Sequence, residues 1–139
     1  MKIQIFYTDR LIKSEDLNHH GTLFAGRCSE WFVEAGFIAV ASVLPPNNIV
    51  CLKIHGLSFT KPLSSGEIAS FESKIIQTGR TSLKVYVALK PRGQDEPVVK
   101  GFITFVHIDN NGKAIPHGLD LELTDPDDLE LNRQAKNLH

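Results

Sequence analysis

Leu23-Phe24-Ala25-Gly26-Arg27-Cys28-Ser29-Glu30-Trp31-Phe32-Val33-Glu34-Ala35-Gly36-Phe37-Ile38-Ala39-Val40-Ala41-Ser42-Val43-Leu44 is the stretch on which the fold turns. Ala35, Gly36, Ala39, Val40 and Val43 recur at three- and four-residue spacings, with Cys28 and Phe32 on the same side. That spacing predicts a helix of about five turns whose apolar face is wide enough to be mostly buried. Pro45-Pro46 ends it, because proline cannot continue a helix and restricts the residue before it. The small residues Ala35, Gly36 and Ala39 let a sheet approach this helix closely.

On the N-terminal side, Ile3, Ile5 and Tyr7 alternate within residues 2–12 and predict a strand. A polar loop, Ser14 to His20, follows and is closed by Gly21. Beyond the prolines the chain reads as strand to about residue 109. Val50, Leu52 and Ile54 alternate, Phe59 follows, and Pro62 with Ser64-Ser65-Gly66 stops the run. Glu67 to Gln77 is a second run, and Gly79 is a turn. Leu83, Val85, Val87 and Leu89 alternate against Ser82, Lys84, Tyr86 and Ala88, which predicts a strand with one buried face. Val98 to Ile108 is a fourth run, ended by the turn signal Asp109-Asn110-Asn111-Gly112. Residues from about 118 onward are polar, with one short helix expected at Asp127 to Ala135.

The chain has 139 residues, 42% of them hydrophobic, which suits one domain with a packed core. A net charge of −1 gives no electrostatic case for nucleic-acid binding. No apolar stretch approaches ~20 residues and no leader pattern opens the chain, so no membrane span and no export signal are expected. Cys28 and Cys51 lack metal-ligand spacing; two reduced thiols in the cytoplasm is the plainer reading, and a disulfide between them stays open.

A strand, a long buried helix and four long antiparallel strands leave the sheet one apolar face and one helix to cover it. The sheet therefore wraps the helix, and self-association removes its open edges. This is an α+β hotdog arrangement, with residues 1–118 as the domain, residues 119–139 as a peripheral tail, and a homodimer or a dimer-based tetramer or hexamer as the assembly.

Asn18-His19-His20-Gly21-Thr22-Leu23-Phe24-Ala25-Gly26, running into Glu30-Trp31-Phe32-Val33-Glu34-Ala35-Gly36, resembles the acyl-CoA hydrolases of the hotdog superfamily. Gly56-Leu57-Ser58-Phe59-Thr60-Lys61-Pro62-Leu63, Gly79-Arg80-Thr81-Ser82-Leu83 and Val106-His107-Ile108-Asp109-Asn110-Asn111-Gly112-Lys113 are similar to later segments of the same proteins, in order. The resemblance implies thioester hydrolysis with coenzyme A as part of the substrate, no separate cofactor, and sites completed by dimerisation.

Hydrolysis needs a positioned water or nucleophile and donors for a developing oxyanion. The first backbone N–H groups of the helix, at Ala25 and Gly26, are the oxyanion candidates. Asn18 matches the family's asparagine that orients water or thioester; alone it would be a turn residue. The resemblance puts a carboxylate where this chain has Val33. Glu34, about 100° around the helix, is the first substitute, and Glu30, about 60° around and nearly a turn earlier, the second. The plainer reading makes Glu30 and Glu34 a surface stripe with Arg27. The resemblance points to Arg80, Thr81 and Ser82 as the coenzyme A contacts, with Lys61, beside Pro62, as a weaker candidate; arginine, hydroxyls and turn amides receive phosphates well. Trp31 and Phe59 are candidates for an acyl pocket or for plain core. His19-His20 has no further ligand at metal spacing, so no metal is expected; the pair leaves room for a hotdog dehydratase, and Val33 for a scaffold that binds acyl-CoA without turning it over.

Overall fold

A computed structural model describes residues 1–138. Its strands are β1 (Phe6–Leu11), β2 (Ile49–Ile54), β3 (Ser58–Phe59), β4 (Ile68–Thr78), β5 (Ser82–Pro91) and β6 (Val99–His107); its helices are α1 (Ala25–Ala41) and α2 (Pro126–Lys136). The six strands form one antiparallel sheet in the order β1-β4-β5-β6-β2, with β3 also paired to β6. Helix α1 lies on its concave face, which is the hotdog arrangement.

The alternation in β5 sets that face. Leu83, Val85, Val87 and Leu89 are at most 1% exposed and meet Phe32, Ala35, Ala39 and Val40 of α1 in one core. Each such side chain contributes roughly 1.5–3 kcal/mol by leaving water. The small face of α1 permits close approach: a Cβ at Gly36 would stand 2.9 Å from Ile103 Cδ1. Trp31 and Phe37 flank the helix, edge-on to Phe71 and Phe105 respectively.

Helix α1 stops at Ala41, three residues before Leu44. The N–H groups of Val43 and Leu44 both turn back to the Val40 carbonyl, and the Ser42 hydroxyl donates to Ala39 O at 2.6 Å. The run from Val50 to Phe59 is two strands rather than one. Gly56, at φ +87°, breaks it after His55 has made its last bond to Phe102 O. A Cβ on the facing Gly101 would come within 2.6 Å of the Gly56 carbonyl, so two backbones touch at this break.

The polar C-terminal segment carries α2, capped by Asp125, whose carboxylate accepts the Asp127 and Asp128 N–H groups. The helix docks on the convex face of the sheet. Lys74, nearly buried, pairs with Asp128 at 2.6 Å; Asn132 donates to Ile76 O and Lys84 to Ala135 O. Cys28 is buried, Cys51 is exposed, and both are free thiols.

At the β2 edge the inward and outward rows both meet solvent. Val50 and Ile54 are each 40% exposed and Leu52 is 67% exposed. An edge strand with unpaired backbone groups and apolar side chains is a template for another strand.

Candidate active site

The loop before α1 is built around Asn18. Its backbone N–H donates to Thr22 O at 2.7 Å and its carbonyl accepts Gly21 N–H at 3.0 Å. Gly21 takes φ +80°, a conformation that a side chain disfavours, and so lets the turn close. The Asn18 Oδ1 accepts the N–H groups of His20 (2.9 Å) and Thr22 (3.2 Å), and Nδ2 donates to Thr22 Oγ1 at 3.2 Å. With Oδ1 taken up by two backbone donors, the amide can act on a ligand only through its second Nδ2 hydrogen. Asn18 is thus a donor here, suited to a carbonyl or an oxyanion.

Asn18 opens onto a pocket of about 380 Å³. Leu23, Cys28, Leu63, Leu89 and Val99 supply apolar walls, and Thr22, Ala25, Phe59, Thr60 and Lys61 complete the mouth. The structure therefore brings together Asn18, Ala25, Phe59 and Lys61. It adds Cys28 and Thr60, which sequence reasoning passed over. Burial pushes the Cys28 thiol up to about 12, so it stays protonated and serves as wall rather than nucleophile.

Helix α1 begins beside this pocket. Its N-cap, Phe24, offers no side-chain acceptor, and the first turn holds no acidic residue. The first-turn N–H groups are left without a side-chain cap and carry the positive end of the helix dipole. Of the two oxyanion candidates, Ala25 lines the pocket. Gly26 lies against the Phe24 ring, where a Cβ would sit 2.7 Å from a ring carbon.

The carboxylates stand elsewhere. Glu34 is exposed and forms an ion pair with Arg10 of β1; Glu30 pairs with Arg27 at 3.5 Å. At 100° per residue both project from the side of α1 opposite Cys28, the residue that faces the pocket. Neither reaches the pocket of its own protomer, and among the described residues no Asp, Glu or His lines it. Trp31 is also outside it. The Trp31 ring packs on Phe71 with the Arg10 guanidinium 5.5 Å from its centroid, beside a polar cleft formed with Asp9, Lys13, Asp16 and Arg27.

Arg80 and Thr81 lie in the β4–β5 turn and Ser82 opens β5, at the opposite end of that strand from Leu89 in the pocket wall. Seven residues of strand put them about 23 Å apart. His117, which no local motif marks, braces this turn. Its N–H donates to Arg80 O (3.3 Å), its Nδ1 accepts Leu119 N–H (3.0 Å), and its Nε2 is 3.0 Å from Ser82 O. Because Nδ1 accepts, the ring hydrogen sits on Nε2 and donates to that carbonyl. His19 and His20 stack with centroids 3.9 Å apart at the outer end of the Asn18 loop. Among the described residues no group of three His, Cys, Asp or Glu could hold a metal ion, and no helix is long and apolar enough to cross a membrane.

Known proteins resemble this chain in both sequence and shape. An uncharacterized acyl-CoA thioester hydrolase of Haemophilus influenzae is 28% identical over 114 residues, covering 75% of this chain and 71% of that protein. A hexameric acyl-CoA thioesterase crystallised without ligand is 26% identical, with a TM-score of 0.85 over 95% of this chain and 86% of its own. The acyl-CoA hydrolase of Staphylococcus aureus, solved with butyryl coenzyme A and coenzyme A, is 22% identical and shares the fold, with a TM-score of 0.84 over 95% of this chain and 79% of that one. Residues 20–98, from the Asn18 loop to the start of β6, match the family model of the thioesterase superfamily, and the chain belongs to that superfamily.

Proposed function

We propose that this protein hydrolyses an acyl-CoA to the free acid and coenzyme A. The observation that carries the reading is the meeting of Asn18, Ala25 at an uncapped helix start, and an apolar pocket, in a member of the thioesterase superfamily. The acyl chain lies along Leu23, Leu63, Leu89 and Val99 with Phe59 at the mouth. The thioester carbonyl accepts from Asn18 Nδ2–H and the first-turn N–H groups, which strengthen as the oxygen gains charge. Water adds to the carbonyl carbon, the C–S bond breaks, and the sulfur leaves with a proton as the coenzyme A thiol.

The water needs a base, and one protomer offers none in its pocket. We assign this role to Glu34, and second to Glu30, delivered from the outward face of α1 of a second copy. Glu34 pairs with Arg10 of β1, at the sheet edge opposite β2, so the copy that delivers it packs through its β1 side, while self-association through the β2 edge serves the coenzyme A contacts. Antiparallel pairing of β2 with its copy sets the residue-49 end of one beside the residue-54 end of the other. Val50 pairs Val106, which pairs Ser82, so the Arg80 turn lies at the residue-49 end. The chain runs from residue 54 through Phe59 to Lys61. In the dimer each Arg80-Thr81-Ser82 turn therefore approaches the partner's pocket end, where it and Lys61 would take the coenzyme A phosphates. The free thiols of Cys28 and Cys51 suit a reducing compartment, the cytoplasm.

The test is release of free thiol from short, medium, long and aromatic acyl-CoAs. Turnover in wild type that falls about 10²-fold or more in Asn18→Ala establishes the reaction and the donor. Tight acyl-CoA binding with no turnover on any substrate would make the protein a binding scaffold, the reading that Val33 favours.

A further inference from the structure

Asp16 is an acid that neither the sequence reading nor the proposed chemistry uses, and it is 4% exposed. A carboxylate held so far from water needs compensation. It has two partners: Lys13 N–H donates to Oδ2 at 2.9 Å, and Arg27 Nε stands 3.3 Å from Oδ1. Its main chain is engaged as well, because the Asp16 carbonyl accepts the N–H of Phe24, the N-cap of α1, at 2.9 Å. One residue thus ties the start of the loop to its end and to the first turn of the helix. Between these ties lies Asn18, two residues on, with its own bonds to His20, Gly21 and Thr22. Arg27 continues the brace to Glu30 at 3.5 Å.

We propose that buried Asp16, paired with the partly exposed Arg27, is the positioning device of the site: the pair fixes the Asn18 amide relative to the open N–H groups at the start of α1. This rests on the hydrolase reading above. The oxyanion needs donors from two separate pieces of chain, the loop and the helix, at one point in space. Nothing in the Asn18 turn itself refers to the helix; its bonds stay within residues 18–22. The Asp16 bonds to Arg27 and to Phe24 N–H supply that reference. The charges facing the pair are Asp9, Arg10, Lys13 and Glu15 of the same polar cleft, with Glu30 beyond Arg27. Asp16 touches no substrate and acts through Asn18, so its loss should lower kcat and leave KM nearly unchanged.

The experiment is a double-mutant cycle on the full chain with Asp16→Asn, Asn18→Ala and the pair. Asparagine at 16 keeps the shape and the Lys13 bond but loses the charge. The expected result is a fall in kcat of about tenfold or more for Asp16→Asn, with KM within about twofold. In the Asn18→Ala background the same substitution should change kcat less than about twofold, because the donor it positions is gone. An unchanged kcat in Asp16→Asn, or equal falls in both backgrounds, overturns the proposal. Should Asp16→Asn fail to fold, Arg27→Met removes the pair from the other side and enters the same cycle. Absence of turnover in wild type would defeat the hydrolase reading alone. Amide exchange then decides the brace: exchange at His20 and Thr22 about tenfold faster in the variant supports it, and unchanged exchange sinks it.

Discussion

Asn18→Ala and Glu34→Gln are expected each to remove turnover alone and to restore it when the two variant chains share one assembly. Asn18 lines the pocket of its own protomer, whereas Glu34 projects from the opposite side of α1 and pairs with Arg10. If Glu34 serves the pocket of a second copy, every site takes its donor from one chain and its base from the other. A dimer with one protomer of each variant then has one site with both lesions and one with neither. Each parent should fall about 10²-fold or more, the usual cost of losing a general base or an oxyanion donor. The purified mixed dimer should keep about half the wild-type rate. An equal mixture left to exchange freely should show about one quarter, since about half of the dimers are mixed. Co-expression with two affinity tags, tandem purification and thiol release supply the assay. A mixed dimer no more active than its parents refutes the shared site, and full activity in Glu34→Gln removes the glutamate from the mechanism.

Other consequences concern stability and thiol chemistry. Asp128→Ala should destabilise by about 3 kcal/mol or more by leaving Lys74 nearly buried and unpaired, whereas Lys74→Met with Asp128→Leu should come close to wild type; urea unfolding of the three proteins checks this. Gly101→Ala should cost about 1–3 kcal/mol and loosen substrate binding, because its Cβ would push the Gly56 carbonyl, in the segment that leads to Phe59; melting temperature and KM report the two effects. Cys28 carries a folded pKa raised from 9.0 to about 12, so between those values the unfolded chain binds fewer protons than the native one. Cys28 should therefore contribute a fall in stability as pH rises above 9, by at most about 1.4 kcal/mol per pH unit, and Cys28→Ala should remove that contribution. Below pH 9 an alkylating reagent should label Cys51 in the native protein and both thiols only in denaturant; mass spectrometry counts them. His117→Ala should unfasten the Arg80–Ser82 turn, cost about 1–3 kcal/mol, and raise KM for acyl-CoA more than it lowers kcat.

Period and punctuation in the sequence determined the elements. The three- and four-residue spacing of α1 and the two-residue spacing of β5 are local properties of the chain, and burial follows them at most positions, small Ala88 of β5 being buried out of phase. The Asn18 loop was legible for the same reason: its bonds close within five residues, and Gly21 marks the turn. What the tertiary structure alone decided is which residues share a space. Helix spacing placed Glu30 and Glu34 near Val33, but only the seat of α1 on the sheet shows that both point away from the pocket. Phe59 and Lys61 reach Asn18 through the pairing of β3 with β6, some 40 residues away in sequence. Trp31 has the composition of a pocket wall and sits on the β1 side instead, edge-on to Phe71. Asp16 and His117 gave no local signal, because their partners Arg27 and Ser82 are set by packing. A pattern in sequence records the direction in which a side chain leaves the backbone; what it meets there depends on long-range contacts that no short window contains.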